Sequence, residues 1–178
     1  MSTEKGVGLP KGYALVMCDV DCGSQTVGMV KTVLSWRKNQ AEKSKALWDS
    51  LHQANSSLAE VLEGGDEAAI REKFGKIREL IRDMGTKSGV PIEPESQTEL
   101  LDALGRIEGV VGGVVPGAGG FDAVVLLVRE DKETMGRLNA FLDKWSSEKE
   151  GRVKLLDVKG EMEGVRVEKP EAYGSWVN

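Results

Sequence analysis

The hydrophobic positions of this chain fall into short apolar runs and longer stripes. Tyr13–Val20 reads YALVMCDV, and residues 109–128 hold two β-branched runs on either side of a glycine-rich segment. Short apolar runs bounded by glycine and polar residues are typical of buried strands. A last run, at residues 153–158, has the same character. The pattern therefore predicts four strands, with the second and third joined by the glycine-rich loop.

Between the first two strands, apolar residues recur every three or four positions, which is the period of amphipathic helices. The second and third stripes, on either side of Gly64-Gly65-Asp66, predict an antiparallel helical hairpin that starts near Ala46. His52 falls on the polar side of this hairpin and is expected to be solvated. The four stripes are Met29, Val30, Val33 and Leu34; Leu47, Leu51, Ala54, Leu58 and Val61; Ile70, Phe74, Ile77, Ile81 and Met84; and Leu100, Leu101, Leu104 and Ile107.

Local signals predict where several helices begin. Asp66 is expected to cap the third helix, and Asp131 a later helix that carries Met135, Leu138, Leu142 and Trp145. Ser96 and Glu99 have the spacing of a capping box. Residues 85–95, which contain two prolines, are expected to form a break between helices.

The order of predicted elements is strand, helices, strand, strand, helix, strand. This is the β-α-β-β-α-β pattern of ferredoxin-like α+β domains, in which helices cover one face of a four-stranded antiparallel sheet. The extra helices are inserted in the first crossover. We expect this domain to occupy residues 12–158, between a polar leader at 1–11 and a surface tail at 159–178.

Composition narrows the class of protein. With 178 residues, 40% of them hydrophobic and 30% charged, the chain has the size and balance of one soluble domain. No apolar run approaches the ~20 residues that cross a bilayer, and no signal peptide is recognised, so a cytoplasmic location is expected. A net charge of −5, with the basic residues scattered, argues against nucleic acid as a partner. Small anionic ligands remain compatible, because backbone amides bind them locally.

Metal chemistry finds little support in the sequence. Cys18 and Cys22 lie close together, but the single histidine, His52, is far away in the chain. A tetrahedral zinc site needs four nitrogen or sulfur ligands. The two cysteines are therefore expected to be reduced thiols, and no metal ligand is assigned.

The glycine-rich loop at residues 116–122 is the first candidate site. Glycine permits positive φ, and consecutive loop N–H groups form a concave nest for an anion; the alternative is a wide hairpin of permissive residues. The loop is neither a P-loop nor a dinucleotide fingerprint, because a strand follows it. Ser24 and Thr26, between the first strand and the first helix, mark a second possible anion site or a plain helix cap.

Three stretches resemble the GHMP small-molecule kinases and, within them, the phosphomevalonate kinases of fungi. Residues 19–31 read DVDCGSQTVGMVK, residues 88–102 read SGVPIEPESQTELLD, and residues 112–123 read GGVVPGAGGFDA. They occur in the family's order. Together they span most of residues 9–128, which makes the set far more specific than the glycine loop alone.

The resemblance implies the C-terminal, ferredoxin-like domain of an enzyme that transfers the γ-phosphoryl group of Mg·ATP to mevalonate 5-phosphate, giving the 5-diphosphate. It implies that the amides of Gly117, Ala118, Gly119 and Gly120 face the phosphates, that Asp122 holds the turn, and that Ser24, Thr26 and Gln97 line the acceptor side. It assigns no catalytic residue to this chain. In the family, the nucleotide loop and the catalytic Lys and Asp come from an N-terminal half, and nothing in the 178 residues matches that loop.

We therefore expect ATP and Mg²⁺ to bind mainly through an N-terminal GHMP kinase domain, which is the expected protein partner, and the chain alone not to turn over. Such a half should expose an apolar face that favours self-association, whereas a stand-alone sensor would bury it in a symmetric dimer. Two alternatives stay open at this point: a non-catalytic ferredoxin-like module that binds small anions, and an interaction protein built on the helical hairpin.

Overall fold

The computed structural model describes residues 7–20, 26–149 and 152–158. The order of elements confirms the β-α-β-β-α-β pattern, with four helices in the first crossover. In chain order the elements are β1 Tyr13–Val20, α1 Thr26–Asn39, α2 Ala41–Gly64, α3 Glu67–Ser88, α4 Glu95–Leu104, β2 Val110–Val114, β3 Ala123–Arg129, α5 Lys132–Glu148 and β4 Val153–Leu155. The predicted tail at 159–178, most of the leader, Ser24 and Cys22 lie outside the described residues.

The four strands form one antiparallel sheet in the order β2-β3-β1-β4. The central pair is β1 and β3, in register from Tyr13 opposite Arg129 to Asp19 opposite Ala123. β2 pairs with the other edge of β3 through an irregularity between Val110 and Gly112. The ferredoxin-like sheet and the hairpin around the glycine loop are therefore confirmed.

Helices cover both faces of this sheet, an addition to the single covered face that the sequence predicts. Alternate residues of a strand point to opposite faces. On one face, Leu126 and its neighbours pack against α4 and α5 in a core that includes Leu104 and Leu138. On the other, Val111 and Leu127 pack against Ile70 of α3. Because both faces of β2 and β3 are apolar, the α2–α3 hairpin packs on the face opposite α4 and α5.

The bounds of α3 and α4 differ from the predictions. α3 runs through Gly85 to Ser88. Residue 85 must be glycine, because a Cβ there would lie 2.7 Å from the Val90 carbonyl oxygen. Gly89, with φ 70°, ends the helix. The predicted capping box is wrong: α4 begins at Glu95, its N-cap is Pro94, and Ser96 lies inside the first turn. Proline sets the extended backbone before the helix without a side-chain cap.

Both predicted aspartate caps form, whereas the bounds of α2 and of the last strand and the cap of α1 differ from the predictions. Asp66 caps α3 by accepting hydrogen bonds from the N–H groups of Ala68 and Ala69 at 3.0 and 3.2 Å, and Asp131 caps α5 by accepting from Thr134 N–H at 2.7 Å, so both caps are confirmed. The helix of the hairpin predicted from residue 46 begins at residue 41, and the last strand ends at residue 155. Thr26 is the first residue of α1 rather than its cap.

The remaining groups singled out in the sequence occupy ordinary surroundings. His52 is exposed, as predicted. Cys18 is a free thiol inside the core, and burial raises its pKa to about 12. Among the described residues, no helix has the length and apolar character that crossing a membrane requires.

Candidate functional site

The loop between β2 and β3 needs its glycines. Gly117, Gly119 and Gly120 have φ values of 61°, 75° and 112°, a region that side-chain-bearing residues rarely adopt. The Gly119 N–H donates to the Pro116 carbonyl at 3.0 Å and closes a tight turn. At the loop's far end, the Asp122 carbonyl accepts from the Val20 N–H at 2.8 Å, which ties the loop base to β1. Asp122 thus anchors the loop through its main chain.

The inner half of the loop faces the protein. Gly119 and Gly120 are buried, and the Gly120 N–H donates to the Ile92 carbonyl at 2.8 Å. A Cβ added at Gly119 would overlap the same carbonyl oxygen. The N–H groups of Gly119 and Gly120 are therefore occupied by internal hydrogen bonds. Of the four N–H donors that the resemblance implies, these two point into the protein.

The outer half of the loop faces solvent. Gly117 is exposed, Ala118 is partly exposed, and neither N–H has a hydrogen-bond partner among residues 7–20, 26–149 and 152–158. Both residues border an apolar groove of about 200 Å³ between α1 and α3. Met29 lines this groove one helical turn after Thr26, so the start of α1 and the outer half of the loop lie on the same side of the molecule.

Gln97 lies behind the loop rather than on its surface. Its side chain is 1% exposed, and its Nε2 donates to the Phe121 carbonyl at 2.7 Å. Its Oε1 is buried and without a hydrogen-bond partner in the described part of the chain. The burial places Gln97 as a support of the loop, and gives it no exposed atom for the acceptor-side role that the resemblance implies.

The sequence reasoning missed a buried ion cluster beneath the loop. The Glu93 side chain is completely buried, and its Oε1 accepts from Arg78 Nη2 and Arg82 Nη1, both at 2.7 Å, and from Thr98 Oγ1 at 3.0 Å. Arg78 also donates to Asp102 at 2.7 Å. The only sequence signal was a glutamate between two prolines, with two arginines four residues apart on α3.

Burial and hydrogen bonding oppose each other at Arg78. Burial lowers the pKa of its guanidinium, but the hydrogen bonds to Glu93 and Asp102 outweigh it, and the net pKa is raised. The arginine therefore stays charged in the interior. Because a buried charge is tolerated only when it is paired, Arg78 and Glu93 depend on each other.

The described residues offer no site for the Mg²⁺ that the resemblance implies. No group of three or more His, Cys, Asp or Glu side chains within residues 7–20, 26–149 and 152–158 is placed to hold a metal ion.

Comparisons with known proteins bear on the same residues. Residues 67–146 match the family model described as GHMP kinases C terminal. The phosphomevalonate kinase of Gibberella zeae is 60% identical over 174 residues, which cover 98% of this chain and 39% of that protein. The phosphomevalonate kinase of Aspergillus fumigatus is 44% identical over 189 residues, covering 97% and 39%. The chain therefore spans about two fifths of the length of these relatives.

A solved structure shows the same fold. The Lin0012 protein from Listeria innocua superposes with a TM-score of 0.66 at 18% identity, over 85% of this chain and 43% of that one. Similarity at this level of identity speaks to the fold alone.

Proposed function

We propose that this chain is the C-terminal part of a phosphomevalonate kinase, because residues 67–146 match the family model described as GHMP kinases C terminal. The reaction is transfer of the γ-phosphoryl group of ATP to mevalonate 5-phosphate, giving the 5-diphosphate, in the mevalonate route to isoprenoids and sterols. The observation that carries the proposal is the 60% identity to a phosphomevalonate kinase over 98% of the chain.

In this proposal the glycine loop supplies hydrogen-bond donors to phosphate oxygens. Phosphoryl transfer depends mainly on positioning and on stabilising charge, and preorganised N–H groups do both. The exposed N–H groups of Gly117 and Ala118 are the donors in this role, while Gly119 and Gly120 hold the loop against Ile92. Ser24 and Thr26 are proposed to contact the acceptor.

The nucleotide loop, the catalytic Lys and Asp and the Mg²⁺ site are proposed to belong to an N-terminal GHMP kinase domain. The exposed side of α1 supports such a partner. Val27, Val30 and Leu34 form an apolar stripe with exposures of 69%, 43% and 53%. Apolar stripes of this kind are often covered by another protein surface. A cytoplasmic location is part of the same proposal and is tested by cell fractionation.

A titration monitored by amide NMR tests the site. We expect mevalonate 5-phosphate to shift the Gly117 and Ala118 resonances saturably, with smaller changes at Gly119 and Gly120. Mevalonate, which lacks the phosphate, is the matched control and should leave Gly117 and Ala118 unmoved. If the two ligands act alike, or neither acts, the proposed contact between the loop and the phosphate of mevalonate 5-phosphate is wrong.

An assay of ADP release tests the activity. We expect no ATP-dependent turnover of mevalonate 5-phosphate by the purified chain, and turnover once the N-terminal part of the Gibberella zeae enzyme is added. Turnover by the chain alone would refute the proposal that it needs an N-terminal domain for activity. Phosphate binding without turnover in the mixture would instead favour the non-catalytic anion-binding module, and neither activity would favour the interaction protein.

A further inference from the structure

The glycine loop depends on contacts from outside itself as well as on its own turn. Its inner half is seated on a segment that is distant in sequence, through the hydrogen bond from the Gly120 N–H to the Ile92 carbonyl and the close approach of Gly119 to the same oxygen. Gln97 and the Val20 N–H hold the far end of the loop, at Phe121 and Asp122, so the Ile92 carbonyl is the contact that sets its inner half. The direction of the neighbouring Gly117 and Ala118 N–H groups depends on that contact.

The segment that carries Ile92 has little regular structure to fix it. Residues 89–94 lie between the end of α3 and the start of α4 and belong to neither helix. Within it, the Ile92 N–H donates to the Val90 carbonyl at 2.8 Å, which is one local turn. Irregular segments of this kind need side-chain contacts to define a single conformation.

Val90 and Ile92 of this segment are buried in the core, and Glu93 adds the charged, directional contacts. It follows Ile92 directly, so the peptide that bears the Ile92 carbonyl ends at the Glu93 nitrogen. Its fully buried carboxylate is held by Arg78 and Arg82 of α3 and by Thr98 of α4. Charge-assisted hydrogen bonds to a planar guanidinium are directional as well as strong. The Glu93 carboxylate is thus held between α3 and α4. The Ile92 carbonyl, in the peptide that joins Ile92 to Glu93, is restrained with it.

We infer that Glu93 is a positioning residue for the glycine loop: its carboxylate, held by Arg78 and Arg82, sets the position of the Ile92 carbonyl, which contacts Gly119 and Gly120. It aims the outer amides toward the acceptor phosphate without touching any substrate. The role in substrate binding rests on the proposed function, whereas the role in loop geometry does not.

The test compares Glu93→Gln with Glu67→Gln in the whole chain. Glu67 is also paired with an arginine, Arg129, but contacts no part of the glycine loop, so it is the matched control. The first readout is hydrogen exchange of the Gly120 amide relative to amides of the central strand β3, which corrects for global stability. We expect Glu93→Gln to speed Gly120 exchange about tenfold relative to β3, as when one buried hydrogen bond is lost. Glu67→Gln should leave that ratio unchanged.

The second readout is the dissociation constant for mevalonate 5-phosphate, measured by the Gly117 and Ala118 shifts. We expect it to rise about tenfold in Glu93→Gln, to recover partly in Glu93→Asp, and to stay at the wild-type value in Glu67→Gln. If Glu93→Gln does not fold, Thr98→Val, which removes one neutral bond to the same carboxylate, is measured in its place, with a smaller change in the same direction.

The outcomes separate the two proposals. An unchanged Gly120 exchange ratio in the Glu93 or Thr98 variant, or equal changes in Glu67→Gln, would overturn the positioning role. If the wild-type chain does not bind mevalonate 5-phosphate but the exchange ratio responds as expected, the positioning role stands and the proposed function fails.

Discussion

Two carboxylate–arginine clusters lie near the two ends of α3, and they differ in what they hold. Glu67, the first residue of the helix, accepts from Arg129 Nη2 and from the Tyr13 hydroxyl, both at 2.7 Å. Glu93, just beyond the helix, accepts from Arg78, Arg82 and Thr98. The Glu67 side chain is 27% exposed, and the Glu93 side chain is fully buried.

The surroundings decide what each pair contributes. Glu67 joins a helix to β1 and β3, whose backbones are already fixed by sheet hydrogen bonds. Glu93 joins two helices to a segment that belongs to neither. Where the backbone is already determined, an ion pair adds stability, but where it is irregular, the pair also determines position. The following changes test that difference, from the largest expected effect to the smallest.

Arg78 and Arg129 are expected to contribute unequally to the free energy of unfolding. Arg78→Met leaves the buried Glu93 carboxylate with Arg82 and Thr98 only, and breaking a buried pair typically costs about 3 kcal/mol of unfolding free energy. Arg129→Met removes a pair that water already screens, so a clearly smaller loss is expected. Urea unfolding of both variants measures the difference. Equal losses would show that burial does not distinguish the clusters.

Two glycines of the loop separate contact from conformation. In Gly119→Ala the new Cβ meets the Ile92 backbone and also carries the strain of positive φ, which together cost about 2–3 kcal/mol. Gly117 has a similar φ but open space around it, so Gly117→Ala should cost about 1 kcal/mol. Only Gly119→Ala should also raise the Gly120 exchange rate relative to β3. The same Gly120 exchange rate in both alanine variants would show that the contact with Ile92 does not hold the loop.

Acid should probe the Glu67 cluster. Hydrogen bonding to Arg129 lowers the pKa of Glu67 below its ordinary value of 4.5, although partial burial opposes this. A lowered pKa contributes stability that is present above pH ~4.5 and is lost as pH falls through the folded-state value. Urea unfolding from pH 6 downward should therefore show wild type losing more stability than Glu67→Gln. Parallel curves for the two proteins would contradict this linkage.

Much of the fold was predictable because its signals are local. The β1 strand has the predicted bounds. The β2–β3 hairpin, the Asp66 cap and the Asp131 cap also form where the sequence predicts them. Strand alternation and N-caps depend on residues within a few positions of one another. The prediction of the start of α4 was wrong although it also rested on a local signal: the S-x-x-E spacing is present, but the helix begins at Glu95 with Pro94 as its N-cap.

The sequence by itself determined that a glycine-rich loop joins two strands, and its motifs resemble those of the GHMP small-molecule kinases. Only the tertiary structure decided which loop amides face inward and which face solvent. The reason is physical: the Ile92 carbonyl, the Gln97 amide and the Glu93 cluster reach the loop from distant parts of the chain. No local spacing encodes such contacts. They exist only after α3 and α4 have packed on opposite faces of the sheet.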